Sequence, residues 1–237
     1  MSEILKINNL WGGYQEGVDI LRGISLEVQQ GEALGIIGLN GSGKSTFGKA
    51  IMNMIPFRKG EIFFEGEDIT SLTTSQLSHR GISIMQQGGK VFQNLSVWEN
   101  LQLASGNFQF SILNSQLAEV VPLLQRPKRE LQHLMADKLS GGQKHQLSLA
   151  MTLATNPRRV ILDEPSAGLS PKAVEEMYQI LSVLKERHDI TIILIEQNIS
   201  KAVDFCYWSI LFQQGQIAKR IEGKNINEIE KIMFNIV

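Results

Sequence analysis

The chain has a single cysteine, Cys206, among 237 residues, which excludes any internal disulfide and suits a reducing compartment. Cys206 lies among apolar residues and reads as a buried core thiol. Charge of one sign is also missing. A formal net charge of -1 and a pI near 6.4 give no basic face of the kind that nucleic acid requires. The short stretch Arg126, Lys128, Arg129 reads as a solvated loop. The N-terminal MSEILKINNL has no basic segment followed by an apolar one, so no secretory leader is expected. No apolar run approaches the roughly 20 residues that cross a bilayer. The chain is therefore expected to be soluble, and any membrane work must be anchored by another subunit. Internal repeats and low-complexity tracts are absent as well.

What is present is an ordinary globular composition, 43% hydrophobic, sufficient for one large domain or a core with a subdomain. Strands are expected at Ile4 to Leu10, Ile20 to Val28, Ala33 to Ile37, Glu61 to Phe64 and Ile82 to Met85. Further strands are expected at Val160 to Leu162, Thr191 to Ile195, Trp208 to Phe212 and Gln216 to Ile221. The short apolar runs at Ala33, Val160 and Thr191 suit buried parallel strands, each feeding a turn and then a helix. Between Ser96 and Asp137 the pattern turns helical. SVWE, Ser96 to Glu99, reads as a capping box, and Ser111 to Leu124 as a second helix. Asn225 to Val237 suits a short amphipathic helix. The overall expectation is an α/β core interrupted by a helical insert.

GLNGSGKST, Gly38 to Thr46, matches the phosphate-loop pattern G-x-x-x-x-G-K-[ST] in full. It follows a strand and opens a helix, so the backbone N–H groups of Asn40, Gly41, Ser42, Gly43 and Thr46 can face phosphate oxygens. Lys44 is expected to reach the β- and γ-phosphates, and the Ser45 hydroxyl to ligate Mg²⁺. No N-K-x-D element that would read guanine is present, so ATP is the expected nucleotide. RVILDEP, Arg159 to Pro165, ends a buried strand in two carboxylates. Asp163 is expected to hold Mg²⁺ and Glu164 to act as general base on the attacking water. A second anion-binding turn, LSGGQ, Leu139 to Gln143, heads a helix but has no lysine.

GLNGSGKST, LSGGQ and VILDEP in that order, with helical sequence between the first two, resemble the nucleotide-binding subunit of an ABC transporter. The resemblance spans nearly the whole chain, from the Tyr14 region to the strand pair near Gly215. It implies a P-loop NTPase core with an antiparallel β subdomain and a helical subdomain, residues 1–237 forming one ATP-binding domain with about 88–155 as its helical part. It implies a head-to-tail pair in which Ser140, Gly141, Gly142 and Gln143 of one subunit close over the γ-phosphate held by Lys44 of the other. Tyr14 matches an aromatic that stacks on adenine. Gln87, with Gln86 as its rival, matches a glutamine that senses Mg²⁺ and the water.

Two departures refine the resemblance. Gln197 stands in IILIEQN where most members have histidine, and an amide donates to phosphate without titrating near neutral pH. Ser170 stands where the loop Ser166 to Ser170 usually carries aspartate. Both departures are similar to ATPases of branched-chain amino acid importers. That implies membrane permease subunits, a second ATPase subunit with a heterodimer favoured, an indirect substrate-binding protein, no nucleic acid, and a place at the cytoplasmic face of the membrane. A urea or amide importer, a lipid exporter, or a non-transport ABC ATPase are the alternatives. Gly89, in place of an arginine often found after the Gln-Gly pair, leaves the substrate open.

Overall fold

The computed structural model describes residues 3–106, 117–188 and 190–223. Its centre is a six-stranded sheet in the order β10-β9-β3-β8-β7-β6, formed by β3 (Ala33–Ile37), β6 (Ile82–Met85), β7 (Arg159–Asp163), β8 (Thr191–Glu196), β9 (Trp208–Gln213) and β10 (Gln216–Glu222). β3, β7 and β8 are buried along their whole length, as parallel strands covered on both faces must be. Side chains alternate between two cores. Ile192 and Leu194 join one hydrophobic cluster, and Ile193 and Ile195 the other. Only β10 runs antiparallel, as a hairpin on β9.

The first core lies against helices α5 (Gly141–Leu153), α6 (Pro171–His188) and α7 (Ile199–Phe205). The second packs α1 (Lys44–Ile51) and a four-stranded antiparallel sheet against the opposite face. That sheet is ordered β2-β1-β4-β5, from β1 (Glu3–Gly13), β2 (Leu21–Gln29), β4 (Phe57–Phe64) and β5 (Glu67–Asp68). Phe47 of α1 is fully buried and its ring stands 5.4 Å from that of Phe212. Burial of such a side chain contributes about 1.5–3 kcal/mol. α3 (Val97–Ser105) and α4 (Lys128–His133) join the first core through Val97, Leu101 and Leu131, and α2 (Thr74–His79) joins the second through Leu77.

The capping boxes at Ser96 and Ser140 close the N-termini of α3 and α5. A third, Thr73 with Gln76, caps α2; its T-x-x-Q pattern was open to reading in the sequence. Other expectations need adjusting. α1 starts at Lys44, within the phosphate-loop motif itself, because Gly43, at φ 103, provides the left-handed turn that precedes it. The expected helix Ser111 to Leu124 lies partly outside the described residues. Where it is described, helix at 117–120 gives way to a 3-10 turn, Pro122–Gln125, since proline removes a helical donor. Asn225 to Val237 lie outside the described residues. Among those described, no helix is long and apolar enough to cross a membrane.

Parallel order has one consequence for chemistry. β3, β8, β7 and β6 are neighbours with one direction, so the segments leaving their C-terminal ends share one rim, where open α/β sheets place their ligands.

Candidate active site

Each strand delivers one piece to that rim. β3 ends at the phosphate loop, β7 at Asp163 and Glu164, β8 at Glu196 and Gln197, and β6 at Gln86 and Gln87. Lys44 is buried, and its ammonium donates to the carbonyls of Gly38 at 2.7 Å and Leu39 at 2.9 Å. Burial pulls its pKa below the ordinary lysine range, while Glu164, Asp163 and Glu196 pull it back up. The Ser45 hydroxyl donates to Asp163 Oδ1 at 2.8 Å across 118 positions of sequence. Burial pushes the Asp163 carboxyl above the usual range; the Ser45 hydrogen bond opposes this and the Glu164 charge adds to it.

Glu164 sits at the centre. It is 5% exposed, and its backbone adopts φ 50, a left-handed conformation that costs a non-glycine residue about 1–3 kcal/mol and collects at functional sites. Its N–H donates to the Ile195 carbonyl at 2.9 Å, tying the end of β7 to β8. The carboxylate is held from both sides. Gln87 Nε2 donates to Oε2 at 2.5 Å, and Gln197 Nε2 donates to Oε1 at 2.5 Å. These contacts bring Gln87, Gln197 and Glu164 together; Gln86 makes no such contact.

The phosphate loop fits an anion. Ser42 Oγ is buried without a hydrogen-bond partner, an unmet demand inside the loop itself. Gly43 holds a left-handed turn, φ 103, of the kind that lets neighbouring N–H groups face an anion; within the loop the Ser42 N–H donates to the Leu39 carbonyl at 3.2 Å. For a cation, the Ser45 hydroxyl and the Asp163 carboxylate present two hard oxygen donors in direct contact. Among the described residues no group of three or more His, Cys, Asp or Glu could hold a metal. Two oxygen donors that need phosphate to complete the shell are what Mg²⁺ prefers.

Of the remaining expected residues, Tyr14 stands beside α1 and the LSGGQ turn stands apart from this centre. Tyr14 is 44% exposed, and Lys49 of α1 places its ammonium 5.9 Å from the ring centroid. Ser140, Gly141, Gly142 and Gln143 stand elsewhere, lining a cavity of about 610 Å³ with Gly168 and Ser170 and without any phosphate-loop residue. The Ser140 hydroxyl accepts from Gln143 N at 3.3 Å, and Gln143 Oε1 accepts from Ser140 N at 3.0 Å. Ser170, in the aspartate position, accepts from Ala173 N at 3.4 Å at the head of α6.

Sequence reasoning missed two buried polar residues. Asn100, fully buried, donates to the carbonyls of Phe92, Leu95 and Ser96 and accepts from Phe92 N, binding the segment after Gln87 to α3. An asparagine inside an apolar helical face was the available signal. Glu196, 2% exposed, accepts from the Ser166 hydroxyl at 2.6 Å and from Gln197 N at 3.1 Å. Burial raises its pKa, against the Ser166 hydroxyl and the N–H groups of Asn198 and Gln197. A carboxyl raised in the folded state adds stability that is whole below its unfolded pKa and is lost as pH rises through the folded value. Glu196→Gln is free of that loss. In thermal melts from about pH 4.5 to 8, the variant is expected to gain on wild type as pH rises. A gap constant with pH would remove Glu196 ionisation from the balance.

A family model described as ABC transporter matches residues 21–167. The high-affinity branched-chain amino acid transport ATP-binding protein BraG of Pseudomonas aeruginosa is 30% identical over 210 residues, covering 89% of each chain. The lipopolysaccharide export system ATP-binding protein LptB of Acidithiobacillus ferridurans is 28% identical over 217 residues, covering 92% of this chain and 89% of its own. Among solved structures, the ADP conformation of MJ1267, an ATP-binding cassette of an ABC transporter, matches with a TM-score of 0.78 at 28% identity. It covers 100% of this chain and 96% of its own.

Proposed function

The chain belongs to the ABC transporter family, and from that membership we propose that this ATP-hydrolysing subunit powers a branched-chain amino acid importer. The observation that carries the catalytic part is the Glu164 carboxylate held between the amides of Gln87 and Gln197. On this reading ATP enters over Tyr14, and Lys44 turns from the carbonyls of Gly38 and Leu39 to the β- and γ-phosphates. The N–H groups from Asn40 to Thr46 donate to the phosphate oxygens, that of Ser42 after leaving the Leu39 carbonyl. Ser45, Asp163 and Gln87 would hold Mg²⁺. When bound, the ion neutralises phosphate charge and orients the transferring group. Glu164 takes the proton of the attacking water, since a carboxylate accepting two amide hydrogen bonds retains lone pairs for a third donor.

The signature turn of a second ATPase subunit completes the site. Ser140 and the N–H groups of Gly141 and Gly142 of one subunit meet the γ-phosphate held by the other. A heterodimer with two unequal sites is the favoured pairing. Gln197 and Ser170 are the residues in which this chain is similar to branched-chain importer ATPases, and BraG bears that function in its name. The protein then works at the cytoplasmic face of the membrane, held by permease subunits and served indirectly by a substrate-binding protein.

We take a groove between α2 and the end of α3 as the docking place for the membrane subunit. It encloses about 800 Å³ between Ser75, His79, Leu103 and Thr155, and Leu103 is 57% exposed. Leu103→Glu is expected to abolish co-purification with membrane subunits while leaving ATP turnover of the isolated chain within about twofold, as surface changes do. Retained co-purification removes this groove from the interface.

LptB supports a second reading, a lipid exporter, at similar identity and coverage. Affinity purification of the tagged protein from gently solubilised membranes separates the two. Multi-span permeases with a second LSGGQ-bearing ATPase and an amino-acid-binding protein support the importer, whereas partners of lipid export overturn it. Recovery of a soluble self-dimer alone, or of ribosomes, takes the protein out of transport.

A further inference from the structure

His145 lies one turn into α5 and takes no part in the site as described. It is 7% exposed. Its Nδ1 stands 3.0 Å from the carbonyl oxygen of Gly141, and since a carbonyl only accepts, Nδ1 carries the hydrogen. The ring is thus fastened to the glycine that follows Ser140. Nε2, at the far edge, is buried and has no hydrogen-bond partner, so the ring is held by one hydrogen bond and by packing.

That packing comes from Gly89. Two residues beyond Gln87 the chain turns at Gly88, φ 88, and Gly89, φ 57, conformations that side chains rarely adopt. A Cβ on Gly89 would stand 2.8 Å from His145 Nδ1 and 3.0 Å from Cε1 and Cγ. The loop backbone therefore rests directly on the imidazole. Gln87, just before it, donates to Glu164 at 2.5 Å. A continuous run of contacts thus leads from Gly141 through His145, Gly89 and Gln87 to Glu164.

We propose that His145 is a positioning residue that fastens the first turn of α5 to the loop carrying Gln87, so that engagement of Ser140–Gly142 by a second subunit's nucleotide is felt at Glu164. This rests on the ATPase reading above. Glycine at position 89 is then explained by the ring it must lie against, since any side chain would displace the latch.

The test uses two polar replacements of similar size. His145→Asn places an amide N–H where Nδ1 stands; His145→Gln places it where Nε2 stands. The asparagine variant is expected to keep turnover within about twofold, and the glutamine variant to lose about tenfold, as small misplacements of catalytic groups do. KM for ATP is expected to stay unchanged in both. Amide hydrogen exchange across residues 86–91 is expected to quicken in the glutamine variant alone. Equal turnover or equal exchange in the two variants overturns the proposal. Gly89→Ala, whose Cβ presses on the ring, is expected to lower kcat at constant KM, and wild-type kcat there also overturns it. Wild-type turnover no higher than that of Glu164→Gln defeats the ATPase reading instead, and the exchange comparison, which needs no turnover, then decides the latch alone.

Discussion

Glu164→Gln is expected to lower ATP turnover by about 10²–10⁴-fold, the range typical of removing a general base, while ATP still binds. The substitution keeps size and removes only the capacity to take a proton. ATP contacts proposed for Lys44, Ser45 and the loop N–H groups are untouched, so nucleotide affinity should stay within a few-fold. A local cost is also expected. Gln87 and Gln197 both donate to the carboxylate, and an amide in its place offers one acceptor and one donor. One of the two glutamines then faces N–H against N–H and must flip its amide to accept instead. Phosphate release at saturating ATP measures the chemistry, and light scattering with and without ATP measures pairing. Turnover stopped with ATP bound is expected to accumulate a closed dimer. Hydrolysis within tenfold of wild type would take Glu164 out of the role of base.

What could be read from sequence depended on how local each signal was. Ala33–Ile37 and Ile82–Met85 were bounded as the structure has them, because short apolar runs ending in glycine or polar turns admit few other folds. Capping at Ser96 was legible because a capping box spans four consecutive residues, whereas Ser140 and Gln143 form the same box inside a turn that reads as an anion site. The two-residue strand β5, Glu67–Asp68, is exposed and acidic, so no hydrophobic pattern marks it. β4 begins at Phe57 rather than Glu61, since its first half is polar and only its pairing with β1 defines it.

The site divides along the same line. Lys44, Ser45 and Glu164 stand inside contiguous motifs that announce phosphate chemistry. The Ser166–Glu196 and Gln87–Glu164 hydrogen bonds join residues 30 and 77 positions apart, and only the order of parallel strands brings them together. Resemblance singled out Gln87 and Gln197 as residues. That both amides converge on one carboxylate is a property of the neighbouring β6, β7 and β8, which no stretch of sequence states.

Lys44→Ala is expected to weaken ATP binding severely as well as turnover, and so to separate recognition from chemistry. A hydrogen bond from a charged group contributes about 1.5–3 kcal/mol, and Lys44 offers three donors on a buried cation. Loss of two such contacts weakens ATP by about 10²–10⁴-fold at 1.4 kcal/mol per factor of ten. Ligand at 100 times its Kd stabilises a fold by about 2.7 kcal/mol, and each kcal/mol moves the melting temperature by about 2–4 °C for a domain of this size. Wild type should therefore melt about 5–11 °C higher in such ATP, and Lys44→Ala should shift by no more than about 2 °C at the same concentration. Without nucleotide the variant should also melt slightly below wild type. The carbonyls of Gly38 and Leu39 lose their donor, a loss that relief from burying the cation partly offsets. An intact ATP shift in Lys44→Ala would refute the phosphate role of the loop. An intact shift in Glu164→Gln beside a lost one in Lys44→Ala would assign binding to the end of β3 and proton transfer to the end of β7.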